Sequence, residues 1–126
     1  MSRIDERPPV WIGHIFMAAT NVRESAAFMC KLGMREIIQK KHISVLELRG
    51  GTHLLLQPTS DRIPPGAVAP FDLMVDDLET SRETFEALEL SPSTIQEDTF
   101  HRSFTLLDPS GYAITVNSSH VSDLPV

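Results

Sequence analysis

The chain has 126 residues, 41% of them hydrophobic, which suffices for one globular domain with its own core. Its 11 Lys and Arg against 17 Asp and Glu give a net charge of −6 without any basic run, so nucleic-acid binding has little electrostatic support. The apolar runs are too short to span a bilayer, the N-terminus has no signal-peptide apolar region, and one cysteine excludes an intrachain disulfide, so a cytoplasmic location is expected.

Residues 1–9 read as a loose arm. In "VWIGHIFMAAT" Ile15, Met17 and Ala19 alternate with His14, Phe16 and Ala18, which predicts a strand. "NVRESAAFMCKLG" predicts a helix, capped by Asn21 with Glu24 three residues on and stopped at Gly33. Val22, Ala26 and Met29 share its apolar face, and Cys30 is expected to be buried there. Strands follow in "MREIIQKK" and "ISVLELR", and Gly50-Gly51 turns the chain into a further strand, "THLLLQ". "PTSDRIPPGAVAP" has the proline and glycine content of a linker.

The same order then recurs. At an offset of 56, Ile15 falls on Phe71, Met17 on Leu73, Ala19 on Val75, Asn21 on Asp77 and Met29 on Phe85. "LLDPSGYAITV" repeats the character of "ELRGGTHLLLQ" at an offset of 60, so the second copy has gained about four residues near "SPSTIQEDTFHR". The expected fold is α+β: two βαβββ modules, about 10–58 and 70–120, joined by a linker at about 59–69. Curled mixed sheets would then enclose a cavity. Ile15, Met17, Ala19, Leu54, Leu56, Phe71, Leu73, Val75, Ile114 and Val116 should receive the helices. The opposite faces carry His14, Phe16, His53, Leu55, Gln57, Asp72, Met74, Ala113 and Thr115, a mixed lining suited to a ligand.

In "GHIFMAATNVRESAAFMCKLGMRE", "FDLMVDDLE" and "LLDPSGYAITV", from about Val10 to about His120, the chain resembles the vicinal oxygen chelate superfamily. That superfamily contains glyoxalase I, extradiol dioxygenases, methylmalonyl-CoA epimerase, and fosfomycin- and bleomycin-resistance proteins. The third segment is similar to the family's Asp-Pro-Asp-Gly turn, with Ser110 in place of the second Asp. The resemblance implies paired modules around a cavity, a homodimer, and a divalent metal held by the first and last strand of each module. Carried onto this chain, the four ligand positions are His14, Leu55, Pro70 and Thr115, of which only His14 is a good ligand.

Two readings follow from these residues. The first is a small-molecule-binding protein with a degraded metal site, its ligand touched by His14, Phe16, His53, Gln57, Asp72, Met74, Arg102 and Thr115. The alternative is a metal-dependent lyase, isomerase or dioxygenase using Ni, Zn, Fe, Mn or Mg at a displaced His14/Gln57/Asp72 site, with His14 and Asp72 as catalytic candidates. Asp72 has further uses without a metal: orienting His14 or His53 as a general base, or binding a cationic or hydroxyl group. Asp77 is expected to be a helix cap, His42 and His120 to be solvated, and Glu79, Glu83 and Glu86 to form a solvated helix face. No substrate is legible.

Overall fold

The structure, a computed structural model that describes residues 5–120 and 123–126, follows the element order expected from the repeat. Residues 1–4 of the arm lie outside the described residues. The first copy comprises β1 (His14–Ala19), α1 (Val22–Leu32), β2 (Arg35–Gln39), β3 (Ser44–Glu47) and β4 (His53–Pro58). The second comprises β5 (Leu73–Val75), α2 (Leu78–Ala87), β6 (Gln96–Glu97), β7 (Arg102–Leu107) and β8 (Ala113–Ser118). Each forms a four-stranded sheet, ordered β1-β4-β3-β2 and β5-β8-β7-β6, in which only the first pair is parallel.

Register realises both sequence offsets. Met17 lies opposite Leu56 and Ala18 opposite Gln57 in the first sheet. Leu73 lies opposite Val116 and Met74 opposite Asn117 in the second. Every partner in the second pairs is the first-copy residue shifted by 56 on the leading strand and by 60 on the last.

The helix ends repeat as closely. Asn21 and Asp77 each accept the N–H three residues on, from Glu24 at 3.1 Å and Thr80 at 3.0 Å, so Asp77 is a structural cap. At the first C-terminus Gly33 donates to the Cys30 carbonyl and Met34 to that of Met29. At the second, Glu89 donates to Glu86 and Leu90 to Phe85, the same Schellman pattern shifted by 56. Gly33 sits at φ 112°, whereas Glu89 adopts φ 63° with a side chain attached.

The helix-facing residues make the core. Met17, Ala19, Leu54 and Leu56 pack beneath α1, and Phe104, Leu106, Ile114 and Val116 beneath α2, in one buried cluster with Met29 and Phe85. Cys30 does not join them. It is exposed, because the buried stripe of α1 is centred on Val22, Ser25 and Met29, and Cys30 projects from its flank. Leu88 is also exposed, since α2 ends at Ala87 and the apolar stripe loses its helical direction there.

Each module's last hairpin turn docks on the strand–helix junction of the other. Ser110 Oγ accepts the Thr20 N–H at 3.1 Å, and Ser25 Oγ donates to Asp108 Oδ2 at 3.1 Å. Asp108 Oδ1 accepts the N–H groups of Ser110, Gly111 and Tyr112 at 3.0, 3.0 and 2.9 Å. Burial nevertheless pushes the Asp108 carboxyl above the usual range, its hydrogen bonds opposing. Gly111 sits at φ 107°, so a side chain there would be strained in backbone, and its Cβ would come to 3.5 Å from Pro65 Cα where the linker crosses. The reciprocal contact is an exposed ion pair, Arg49 to Asp76 at 2.7 Å. Thr20 and Asp76 are equivalent positions of the repeat.

Candidate functional site

The sheet faces turned away from the helices carry the candidate residues. On the first sheet, His14 is level with His53, Phe16 with Leu55, and Ala18 with Gln57. The His14 and His53 ring centroids are 6.0 Å apart, and those of His14 and Phe16 6.2 Å. Across the β3–β4 hairpin, His53 Nε2 lies 3.0 Å from Glu47 Oε2. Glu47 also pairs with Arg35, and hydrogen bonds from Arg35 and then His53 hold its carboxyl below the usual range. Sequence reasoning missed Glu47, although the Gly50-Gly51 hairpin sets Glu47 opposite His53.

On the second sheet, Asp72 and Thr115 stand one residue before the Leu73–Val116 pair, and Met74 faces Asn117. Across β8, Thr115 faces Thr105 and Asn117 faces Ser103. Asn117 was also missed. It is the 60-offset equivalent of Gln57, so the repeat contained the signal. It is 5% exposed, and its Oδ1 has no hydrogen-bond partner.

Arg102 does not join these residues. Strand alternation turns it to the helix side, because Ser103 is the residue of β7 that faces Asn117. There it pairs with Glu79 and, at 3.2 Å, with Glu97. His101 lies 3.4 Å from Asp98, and its ring is 5.5 Å from that of exposed His120.

The donor set does not fit the family's metal. Among the described residues no three His, Cys, Asp or Glu are grouped to hold an ion. Leu55 and Pro70 offer no side-chain donor, and Thr115 is a weak one. The displaced set fails on register. Gln57 is level with Ala18, four residues beyond His14, a step of about 13 Å along the strand. Metal–ligand bonds to nitrogen or oxygen span only about 2.0–2.6 Å.

Pro70 also shapes the strand. Val68 pairs with Ala113 and Leu73 with Val116, so five steps on one strand match three on its neighbour. The two extra residues fall around Pro70, which has no N–H for the ladder. A separate groove of about 650 Å³ lies between the N-terminal arm, through Pro8, Val10 and Trp11, and Arg49, Thr52 and Val126. None of the sequence-chosen ligand residues lines it.

Two βαβββ modules, each with a parallel leading pair, helices on one face and an open opposite face, define the vicinal oxygen chelate fold. Solved structures of that fold superpose over most of their length. A lactoylglutathione lyase from Agrobacterium tumefaciens matches with a TM-score of 0.72 at 20% identity, covering 90% of this chain and 97% of the other. The antibiotic-binding protein TnmS3 from Streptomyces sp. CB03234 matches at 0.73 and 15% identity, covering 86% and 95%. A glyoxalase/bleomycin resistance protein/dioxygenase from Alicyclobacillus acidocaldarius matches at 0.69 and 16% identity, covering 93% and 96%. No family model matches the chain, and no curated protein matches it. The likeness is one of fold, and the fold hosts both catalysts and binders.

Proposed function

We propose that this chain is a small-molecule-binding protein of the vicinal oxygen chelate superfamily that works without the superfamily's usual metal. It acts in the cytoplasm as a homodimer in which the second copy helps close the open sheet faces. The observation that carries the reading is the donor set. Leu55, Pro70 and Thr115 stand at three of the four ligand positions, while the surrounding faces keep a mixed polar and apolar lining. Phe16, Met74 and Leu107 project exposed from those faces, which supports a covering partner. Among the described residues no helix is long and apolar enough to cross a membrane.

Elemental analysis of the purified protein, followed by thermal shifts with Ni, Zn, Fe(II), Mn and Mg, tests the metal part. Stoichiometric metal that disappears in His14→Ala would sink it. Light scattering on a sizing column tests the dimer, and a thermal-shift library of aromatic and amine-bearing compounds tests ligand binding. A second reading, a lyase, isomerase or dioxygenase centred on His14, gains support from one observation. The His53 imidazole is held by Glu47 beside His14, an arrangement suited to proton transfer. It requires turnover that is lost in His53→Gln, whereas the binding reading requires affinity without turnover.

A further inference from the structure

We infer that the open face of the second sheet holds a subsite for the ammonium group of a small molecule, with Asn117 and Asp72 as its principal acceptors. This rests on the small-molecule reading above and gives it a ligand class.

Asn117 is the starting point. Its amide oxygen is buried without a partner, and a native fold rarely leaves such a group unsatisfied. Its β8 neighbours Ile114 and Val116 are fully buried against the helix side, so Asn117 projects from the opposite face. By register Met74, Asn117 and Ser103 form one row of this face and Thr115 and Thr105 the next, and Asp72, just before β5, falls beside that second row by alternation from Met74.

The chemistry of that face is one-sided. It offers a carboxylate, an amide and three hydroxyls, and no Lys or Arg, since Arg102 faces α2. Asp72 is exposed, and among the described residues no side chain pairs with its carboxylate. An ammonium brings three donors, a positive charge and no acceptor, which is the complement of this set. Asn117 is level with Met74, two residues beyond Asp72, so strand spacing and rise put the two positions about 8 Å apart on the diagonal. Asn117 Oδ1 is shielded from solvent in the free chain, so a nitrogen bonded to both groups at about 2.8–3.0 Å requires the Asn117 side chain to turn outward toward Asp72 on binding. Thr115 lies level with Asp72 and beside Asn117 on β8, placed as a third acceptor. Met74, level with Asn117 and half exposed, supplies a flexible apolar wall for the carbon skeleton. The net charge of −6 favours the approach of a cation.

The test is an amide NMR titration of the labelled full chain with phenethylamine, and with 2-phenylethanol as its uncharged counterpart. The amine should produce saturable shifts at the Asn117 side-chain amide and at the Asp72 and Thr115 backbone, with the alcohol at least tenfold weaker. Asp72→Asn should weaken the amine at least tenfold. Asn117→Leu should abolish the site yet raise Tm, because an apolar side chain of similar size removes an unbonded amide from the interior. That rise separates lost binding from lost folding. Equal affinity for the alcohol, an indifferent Asp72→Asn, or a lower Tm in Asn117→Leu would overturn the inference. Shifts confined to His14, Phe16 and Leu55 would overturn the ammonium subsite and leave the small-molecule reading standing. A library with no binder on either sheet would remove that broader reading.

Discussion

Asp108 is the residue whose replacement tests the modular fold most sharply. Its Oδ1 accepts three consecutive N–H groups of the β7–β8 turn, and its Oδ2 accepts the Ser25 hydroxyl of α1, so one carboxylate shapes the turn and joins the modules. Asp108→Ala removes four acceptor contacts in a side chain that is 4% exposed. Each buried donor left unsatisfied costs about 1–3 kcal/mol, and with partial rescue by water the sum is about 4 kcal/mol. With an unfolding entropy near 2.1 cal/mol/K per residue, that is a Tm loss of roughly 15 °C for a chain of this length. Asp108→Asn keeps the Oδ1 acceptor and should fall within about 1 kcal/mol of the parent at pH 7. The pH dependence has a definite sign. Burial raises the Asp108 pKa in the folded state above its ordinary 3.8, so its favourable contribution is full below that value and is lost as pH rises through the folded pKa. Asparagine has no charge to desolvate, so the balance should move in its favour between pH 4 and pH 7. Urea denaturation followed by far-ultraviolet circular dichroism at both pH values measures all three proteins. If Asp108→Ala costs less than about 1 kcal/mol, or Asp108→Asn is as damaging as Asp108→Ala at every pH, the reasoning fails.

Three further outcomes follow from the same structure. Glu89→Gly relieves a left-handed residue costing about 1–2 kcal/mol and a carboxylate at a helix C-terminus, against about 0.5–1 kcal/mol of glycine entropy. Tm should rise about 4 °C, and an unchanged or lower value contradicts the strain argument. Glu47→Gln should flatten the acid limb of the stability profile. The Glu47 pKa is depressed, so its contribution is present above the ordinary 4.5 and lost as pH falls through the folded value; an unaltered limb between pH 5 and pH 3 would show that the pairing with Arg35 and His53 is idle. Phe16→Asp should shift the proposed dimer toward monomer on a sizing column, and an intact dimer at micromolar concentration would move the interface elsewhere.

Much of the fold was legible because packing constrains it twice over. Alternation picked out the helix-facing residues of β1, β4 and β8, and capping chemistry fixed the helix starts at Asn21 and Asp77. What escaped depended on register. Glu47 and Asn117 reach their places through cross-strand pairing, which brings together residues that are not sequence neighbours. Arg102 was misplaced because the extra residues around 91–101 hid its parity, which only the pairing of Ser103 with Asn117 settles. The His14/Gln57/Asp72 set failed similarly: two residues on one face still lie far apart when their strands are parallel and their levels differ.

The two copies also separate what packing demands from what it leaves free. Met17 and Leu56 correspond to Leu73 and Val116, and all four are apolar because each lies beneath a helix. One residue earlier on the same strands, Phe16 and Leu55 correspond to Asp72 and Thr115. There an aromatic–aliphatic pair has become a carboxylate–hydroxyl pair. Nothing in the core requires that exchange, and an exposed β-strand carboxylate without a partner brings no stability of its own. On the proposed reading, the divergence falls where a ligand, not the fold, would set the chemistry. The first sheet presents imidazoles beside apolar groups, and the second presents oxygen acceptors around Asn117. A ligand meeting both would have an aromatic or aliphatic body and a cationic end, which is the combination that phenethylamine probes in its smallest form.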